Sequence, residues 1–311
     1  MTEKLKCLII GSGPAGYTAG IYASRAGLNP VIIAGYQPGG QLTLPEKVDN
    51  FPGYPEGKSG LGIMEDLREQ ASRLGTDIRR GLVNKVDLSK RPFVCTIDDG
   101  TVIEAETLII ATGATARWLG MESETKYRGF GVSTCATCDG AFFKGKDVAV
   151  IGGGDTALED ALYLSKICRK VFIIHRRDAL RGSHSYQQRV FNTPNIEVIW
   201  NSIPKEILGE QSGFIKKVTG LMITNKIDNS ESVIPVDGIF IAIGITPETE
   251  LFKCQLDLDD QGYIITIPGT PMTAIPGVFA AGDVQDPNYR QAITAAASGC
   301  TAAIEAARFL S

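Results

Sequence analysis

The feature that most restricts this chain is a pattern it carries twice: a short apolar run, a glycine-rich turn, a helical stretch and a second apolar run. Residues 5–10 are apolar and lead into GSGPAG (11–16); a helical pattern continues to about residue 26, and 31–33 are apolar again. From residue 148 the order recurs as VAVIGGGDTA, a helical stretch to about 165, and VFII at 171–174. Gly11, Gly13 and Gly16 suit a tight turn, close approach of the backbone to a pyrophosphate, and close helix–strand packing. Gly152, Gly154 and Ala157 occupy the matching places in the second copy. A phosphate would rest on amides at the helix N-terminus, where the dipole favours negative charge. One such turn is a weak signal, because glycine-rich turns are common. Two of them, each between a strand and a helix of the right length, predict an α/β chain with two Rossmann-like, doubly wound dinucleotide-binding domains.

The copies differ where a nucleotide would be chosen. A NAD site usually ends its second strand with an acid that binds the ribose hydroxyls. The second copy ends instead in HRRDALR (175–181), which supplies His175, Arg176, Arg177 and Arg181. Guanidinium groups fork onto a 2′-phosphate that a carboxylate would repel, so this copy points to NADPH. The first copy ends in Ala34 and Gly35, neither acid nor base, so its nucleotide must be gripped elsewhere. The loop 35–55 is too long for a plain connection and reads as wrapping a cofactor.

Two apolar runs ending in Ala-x-Gly, LIIATGA (108–114) and IFIAIGI (239–245), mark where the chain crosses between domains. The second domain is then inserted into the first: 1–112 with 242–311 for one nucleotide, 113–241 for the other. In the returning segment, GVFAAGD ends in Asp283, whose carboxylate can accept hydrogen bonds from a polyol such as a flavin's ribitol. Residues 290–309 read as a long alanine-rich helix opening at Arg290, Gln291 and Ala292.

CATCDG (135–140) sits almost mid-chain. A Cys-x-x-Cys pair serves a zinc site, a structural staple or a redox couple. Zinc needs four ligands, and neither the five other cysteines nor the two histidines have the spacing to supply the rest. A staple closing so short a loop constrains the unfolded chain very little. A redox couple survives, and it needs a thiolate, an electron donor and a proton source. Hydride from NADPH is a poor direct partner for a disulfide, so a flavin is the natural go-between. Asp139, beside the pair, is the available acid.

With 311 residues, the chain has room for about two domains. A net charge of −4 gives no support to a nucleic-acid partner, and no apolar run approaches the roughly 20 residues of a membrane span. Scattered single cysteines and an apolar start too short for a secretory signal lead us to expect a cytoplasmic protein.

Together GSGPAG (11–16), GGQ (39–41), CATCDG (135–140), GGGDTA (152–157), HRRDALR (175–181), GVFAAGD (277–283) and RQA (290–292) resemble the low-molecular-weight thioredoxin reductases, in order and over essentially the whole chain. The resemblance implies FAD, NADPH, a homodimer and thioredoxin as the protein substrate. It places FAD contacts at Ser12, Gly13, Pro14, Ala15, Gly39, Gly40, Gln41, Asn50, Val83, Asp283, Arg290, Gln291 and Ala292. It places NADPH contacts at Gly154, Asp155, Thr156, His175, Arg176, Arg177 and Arg181. It makes Cys138 the thiol nearest the flavin, Cys135 the one that attacks thioredoxin, and Asp139 the proton carrier. It also implies that the NADPH domain rotates between half-reactions. Two rivals remain at this point: a flavin-dependent reductase of another partner (a peroxiredoxin-system thiol protein or a ferredoxin), and a non-enzymatic nucleotide-sensing redox switch.

Overall fold

Near-continuous apolar runs such as CLII (7–10) belong to strands covered on both faces, and parallel sheets flanked by helices provide that environment. A computed structural model describes residues 2–45, 47–212 and 215–311. In chain order the elements begin with β1 (Glu3–Ile10), α1 (Pro14–Arg25), β2 (Val31–Ile33), α2 (Gly60–Arg73), β3 (Asp77–Arg79), β4 (Val83–Asp87), β5 (Phe93–Ile97), β6 (Val102–Ile110) and β7 (Ala114–Ala116). Next come α3 (Glu122–Tyr127), β8 (Val132–Ser133), α4 (Ala136–Asp139), β9 (Asp147–Gly152), α5 (Asp155–Ser165), β10 (Lys170–Ile174), α6 (His184–Phe191) and β11 (Ile196–Ile199). Then follow β12 (Ser202–Ser212), β13 (Ile215–Asn225), β14 (Glu231–Ile234), β15 (Gly238–Ala242), β16 (Ile245–Pro247), β17 (Val278–Ala280) and α7 (Ala292–Phe309).

The chain divides into two compact units, Met1–Thr115 with Thr246–Ser311, and Ala116–Ile245. In the first, seven strands form a sheet in the order β3-β2-β1-β6-β5-β4, with β17 also paired to β6. β1, β2, β3, β6 and β17 are parallel, whereas β5 pairs antiparallel with β6 and β4 antiparallel with β5. Alternation along β1 supplies the two cores. Leu8 and Ile10 join Val31, Ile33, Leu108 and Ile110 on one face, while Cys7 and Ile9 join Ile32 and Ile109 on the other. Burying each such aliphatic side chain contributes about 1.5–3 kcal/mol. On the second face α1 lies against α7 so closely that a Cβ on Gly299 would overlap the Ala15 carbonyl.

The second unit repeats the plan with five parallel strands, β11-β10-β9-β15-β8. Val148 and Val150 of β9 face one core, Ala149 and Ile151 the other. A three-stranded antiparallel layer, β12-β13-β14, adds to it. Both units are therefore Rossmann-type α/β folds. The crossings lie slightly later than the sequence reading places them. Ala242 pairs with Gly152 and belongs to the second sheet, and the chain passes between units through β7 and β16, which pair as a short ribbon. Side-chain alternation does not reveal such a ribbon, because its strands are only three residues long.

Candidate active site

In the first unit GSGPAG bends between β1 and α1. A Cβ on Gly11 would overlap the Ala111 carbonyl, and one on Gly16 would overlap the Gly11 carbonyl, so neither position has room for a side chain. Gly13, the N-cap of α1, faces open space, and no side chain caps the helix. The first-turn amides are thus left for an anion. Pro14 and Ala15 open the helix, and proline there gives up an amide that has no helical partner in any case. The hydroxyl of Ser12 donates to Ala34 O at 2.7 Å and accepts from Gly39 N–H at 3.1 Å. It therefore fastens both the end of β2 and the 39–41 turn to the fingerprint, which answers how a strand ending in alanine keeps its loop in place. Gly39 and Gly40 both have positive φ, +94° and +63°, a conformation that side-chain-bearing residues rarely adopt. A Cβ on Gly40 would touch Gly13 Cα at 3.6 Å, so GGQ, with Gln41 exposed, lies beside the first turn.

Asp283 follows β17, and the adjacent Gly282 packs against Ala15, so the carboxylate lies near the start of α1. Burial and then the nearby Asp286 push its pKa up to about 6, while Arg290 opposes them. The carboxylate accepts no hydrogen bond from the described residues. A desolvated acceptor of this kind suits a ligand hydroxyl. Arg290, at φ +49°, precedes Gln291 and Ala292, which start α7; Gln291 and Thr294 form a capping box. Asn50 Nδ2 donates to Gln291 Oε1 at 3.3 Å, which brings the long loop to this helix start. Val83 is different. Its side chain fills the core beside Ile97, so only its backbone is left to meet a ligand.

In the second unit Cys135 and Cys138 are joined as a disulfide. Cys135 caps α4, and Cys138 N–H donates to Cys135 Sγ at 3.2 Å. Ser133 Oγ accepts from Cys135 N–H at 3.0 Å. Burial raises the Asp139 carboxyl above the usual aspartate range, and a hydrogen bond with Ser133 partly offsets that shift. Ser133 escaped the sequence reading. The signal available was a hydroxyl two residues before a turn-forming cysteine, the spacing of an ST-turn.

Across the same unit the second fingerprint shows the features of the first. A Cβ on Gly152 would overlap the Ala242 carbonyl, and Gly154, the N-cap of α5, faces open space. Asp155 and Thr156 form the first turn of α5. After β10, Arg176, Arg177 and Arg181 are exposed, and none has an ion-pair partner among the described residues. Three unpaired guanidiniums beside an uncapped helix start fit a nucleotide with an extra phosphate. His175 is buried, and its ring lies between two backbone carbonyls, Gly152 O at 3.1 Å and Ala179 O at 2.9 Å. Burial lowers its pKa, and Arg181 and Arg177 act in the same direction. His184 starts α6, is exposed, and contacts Gln188.

Among the described residues no helix is long and apolar enough to cross a membrane, and no cluster of His, Cys, Asp or Glu has the arrangement of a metal site.

Comparison with known proteins agrees with this geometry. Residues 5–299 match the family described as pyridine nucleotide-disulphide oxidoreductase. The chain is 52% identical over 305 residues to a thioredoxin reductase of Rickettsia typhi, covering 98% of each chain. Among solved structures it is similar to thioredoxin reductases from Giardia duodenalis (41% identity, TM-score 0.94, 99% of each chain) and Streptococcus pyogenes (39% identity, TM-score 0.92, 99% of this chain and 98% of that one). Two glycine turns on two Rossmann-type units, a Cys-x-x-Cys disulfide and these full-length likenesses lead to one assignment: the chain belongs to the pyridine nucleotide-disulphide oxidoreductase family, among its thioredoxin reductases.

Proposed function

We propose that this chain is an enzyme that uses NADPH and FAD to reduce the disulfide of thioredoxin. The observation that carries the reading is the Cys135–Cys138 disulfide with a desolvated carboxyl, Asp139, directly behind it. The first unit (Ser12 to Ala15, Gly39 to Gln41, Asn50, Val83, Asp283 and Arg290 to Ala292) holds FAD. The second unit holds NADPH, with Gly154, Asp155 and Thr156 at the pyrophosphate turn and His175, Arg176, Arg177 and Arg181 at the 2′-phosphate loop. When bound, FAD supplies the exchange between a two-electron hydride donor and a disulfide.

Reduction of the pair takes two electrons and two protons; the S–S bond breaks and two thiols form. Cys138 accepts the electron pair, and Cys135 leaves as the thiolate. The Cys138 amide N–H, already directed at Cys135 Sγ, stabilises that negative charge. Asp139, whose raised pKa keeps more of its proton near neutrality, protonates the departing sulfur. Cys135 then attacks the disulfide of thioredoxin. The Cys138 thiolate resolves the mixed disulfide by attacking Cys135 Sγ, which releases thioredoxin as a dithiol and restores the Cys135–Cys138 bond. Rotation of the second unit at the two crossings alternates the two half-reactions. We place the enzyme in the cytoplasm as a homodimer; the unpaired state of the other five cysteines is what a reducing compartment favours.

An anaerobic NADPH titration tests the reading, with flavin absorbance and free thiols followed together. Uptake of about four electrons per flavin, with two new thiols that are lost in Cys138→Ser, is the expected result. Uptake of about two, without new thiols, would disconnect the cysteine pair from the flavin and favour an electron carrier.

A further inference from the structure

The HRRDALR segment is an exposed loop carrying three unpaired cations, yet its backbone is fastened at one point after another to the second glycine turn. Arg181 N–H and Gly182 N–H both donate to Gly153 O, at 2.7 and 3.0 Å. Ser183 N–H donates to Asp155 Oδ1 at 2.7 Å. The His175 ring nitrogens lie 3.1 Å from Gly152 O and 2.9 Å from Ala179 O, and the nitrogen that carries the proton donates to its carbonyl; a Cβ on Gly153 would overlap that ring. From the other side Gln187 Nε2 donates to Gly182 O at 2.7 Å, and Gly182 packs so tightly that a Cβ would lie 2.6 Å from Leu158 Cδ1. Mutual repulsion among the arginines would drive the loop outward if these ties were absent.

Asp155 poses a separate question. A carboxylate in the first turn of α5 competes with any phosphate for the amides and dipole there. Its oxygen is instead committed to Ser183 N–H, across to the arginine loop. The pyrophosphate and the 2′-phosphate of one nucleotide are held a set distance apart by covalent bonds. A loop already fixed at the matching distance from the pyrophosphate turn binds that pair without first being ordered.

We infer that Asp155 and His175, placed above at the nucleotide site, also act as positioning residues: their side chains clasp the arginine loop to the second glycine turn and thereby set the preference for a 2′-phosphate. The inference rests on the reading that this unit takes NADPH. It assigns the discrimination to the spacing of the loop as well as to its charge. Asp155 is exposed, so replacing it leaves the core intact.

The test is calorimetric binding of 2′,5′-ADP and of 5′-ADP to the FAD-loaded protein and its variants. Asp155→Ala is expected to weaken 2′,5′-ADP about tenfold while 5′-ADP changes less than about twofold, the effect of losing a charge-assisted tie. Asp155→Asn, whose amide oxygen still accepts from Ser183 N–H, is expected to restore affinity to within about threefold. His175→Phe, which keeps ring volume but removes both polar contacts, is expected to resemble Asp155→Ala. An unchanged ratio of the two affinities in Asp155→Ala overturns the clasp while leaving NADPH use intact. Equal weakening of both ligands also overturns it, since Asp155 would then act on the shared part of the nucleotide. Equal affinities in the unsubstituted protein would remove the 2′-phosphate reading and the clasp with it.

Discussion

In both units the first glycine of the turn lies against the carbonyl of an alanine at the end of the neighbouring strand: Ala111, just past β6, at Gly11, and Ala242, the last residue of β15, at Gly152. The two turns part company just beyond. In the first, the third fingerprint position must be glycine, because a Cβ on Gly16 would overlap the Gly11 carbonyl; in the second, Ala157 fills that place. The strand after the first turn ends in Ala34, and a neutral serine, Ser12, holds the loop beyond it. The strand after the second ends in a basic loop held by a histidine, a carboxylate and a glycine carbonyl. The two turns thus share the geometry of their first glycine and differ in what the exit loop is tied to.

The comparison breaks most sharply at Gly16. Gly16→Ala forces a Cβ onto backbone and is expected to cost more than about 4 kcal/mol, seen as a large fall in Tm and loss of flavin. Gly13→Ala, with nothing in its way, is expected to leave stability nearly unchanged, so any loss of flavin there reports on the ligand alone.

Asp283 comes next and carries the pH dependence. Its folded pKa, about 6, lies above the ordinary aspartate value, so the fold favours the protonated acid. The resulting penalty is absent below about pH 4, grows as pH rises through 6 and is complete above it. In flavin-free protein, Asp283→Asn is therefore expected to be more stable than the parent at pH 8, by up to about 3 kcal/mol, and no more stable at pH 4. Denaturant melts at the two pH values check this, and a gain of equal size at both would show that burial of the charge is not the cause.

In the second unit, Arg176→Ala with Arg177→Ala is expected to raise the NADPH KM about thirtyfold while the NADH KM moves less than about twofold. Equal changes for the two cofactors would dissolve the contrast between the units. The smallest effect is expected at His184, three residues beyond Arg181. His184→Ala should change stability by less than about 0.5 kcal/mol and leave both KM values alone, because its contact is with exposed Gln188 on its own helix. A thermal melt and steady-state kinetics suffice to check it.

Much of this was readable from the chain because it is local. The strand–turn–helix units and the helix from Ala292 follow from periodicity and glycine placement over short stretches. CATCDG carries its chemistry in six consecutive residues. The position of Val83 was harder, since a valine in a strand has the same signature whether it lines a site or a core, and here its side chain is in the core.

The sequence by itself determined the two nucleotide turns, the redox pair and the basic exit loop, since each is a pattern within a few residues whose chemistry needs no distant partner. Only the tertiary structure decided that Ala111 and Ala242 lie against those turns, that Ser12 holds the first exit loop and Asp155 the second, and that Asp283 is desolvated. Those facts depend on which groups the fold brings within hydrogen-bond reach or removes from water. Both are through-space quantities, set by packing between segments tens to hundreds of residues apart.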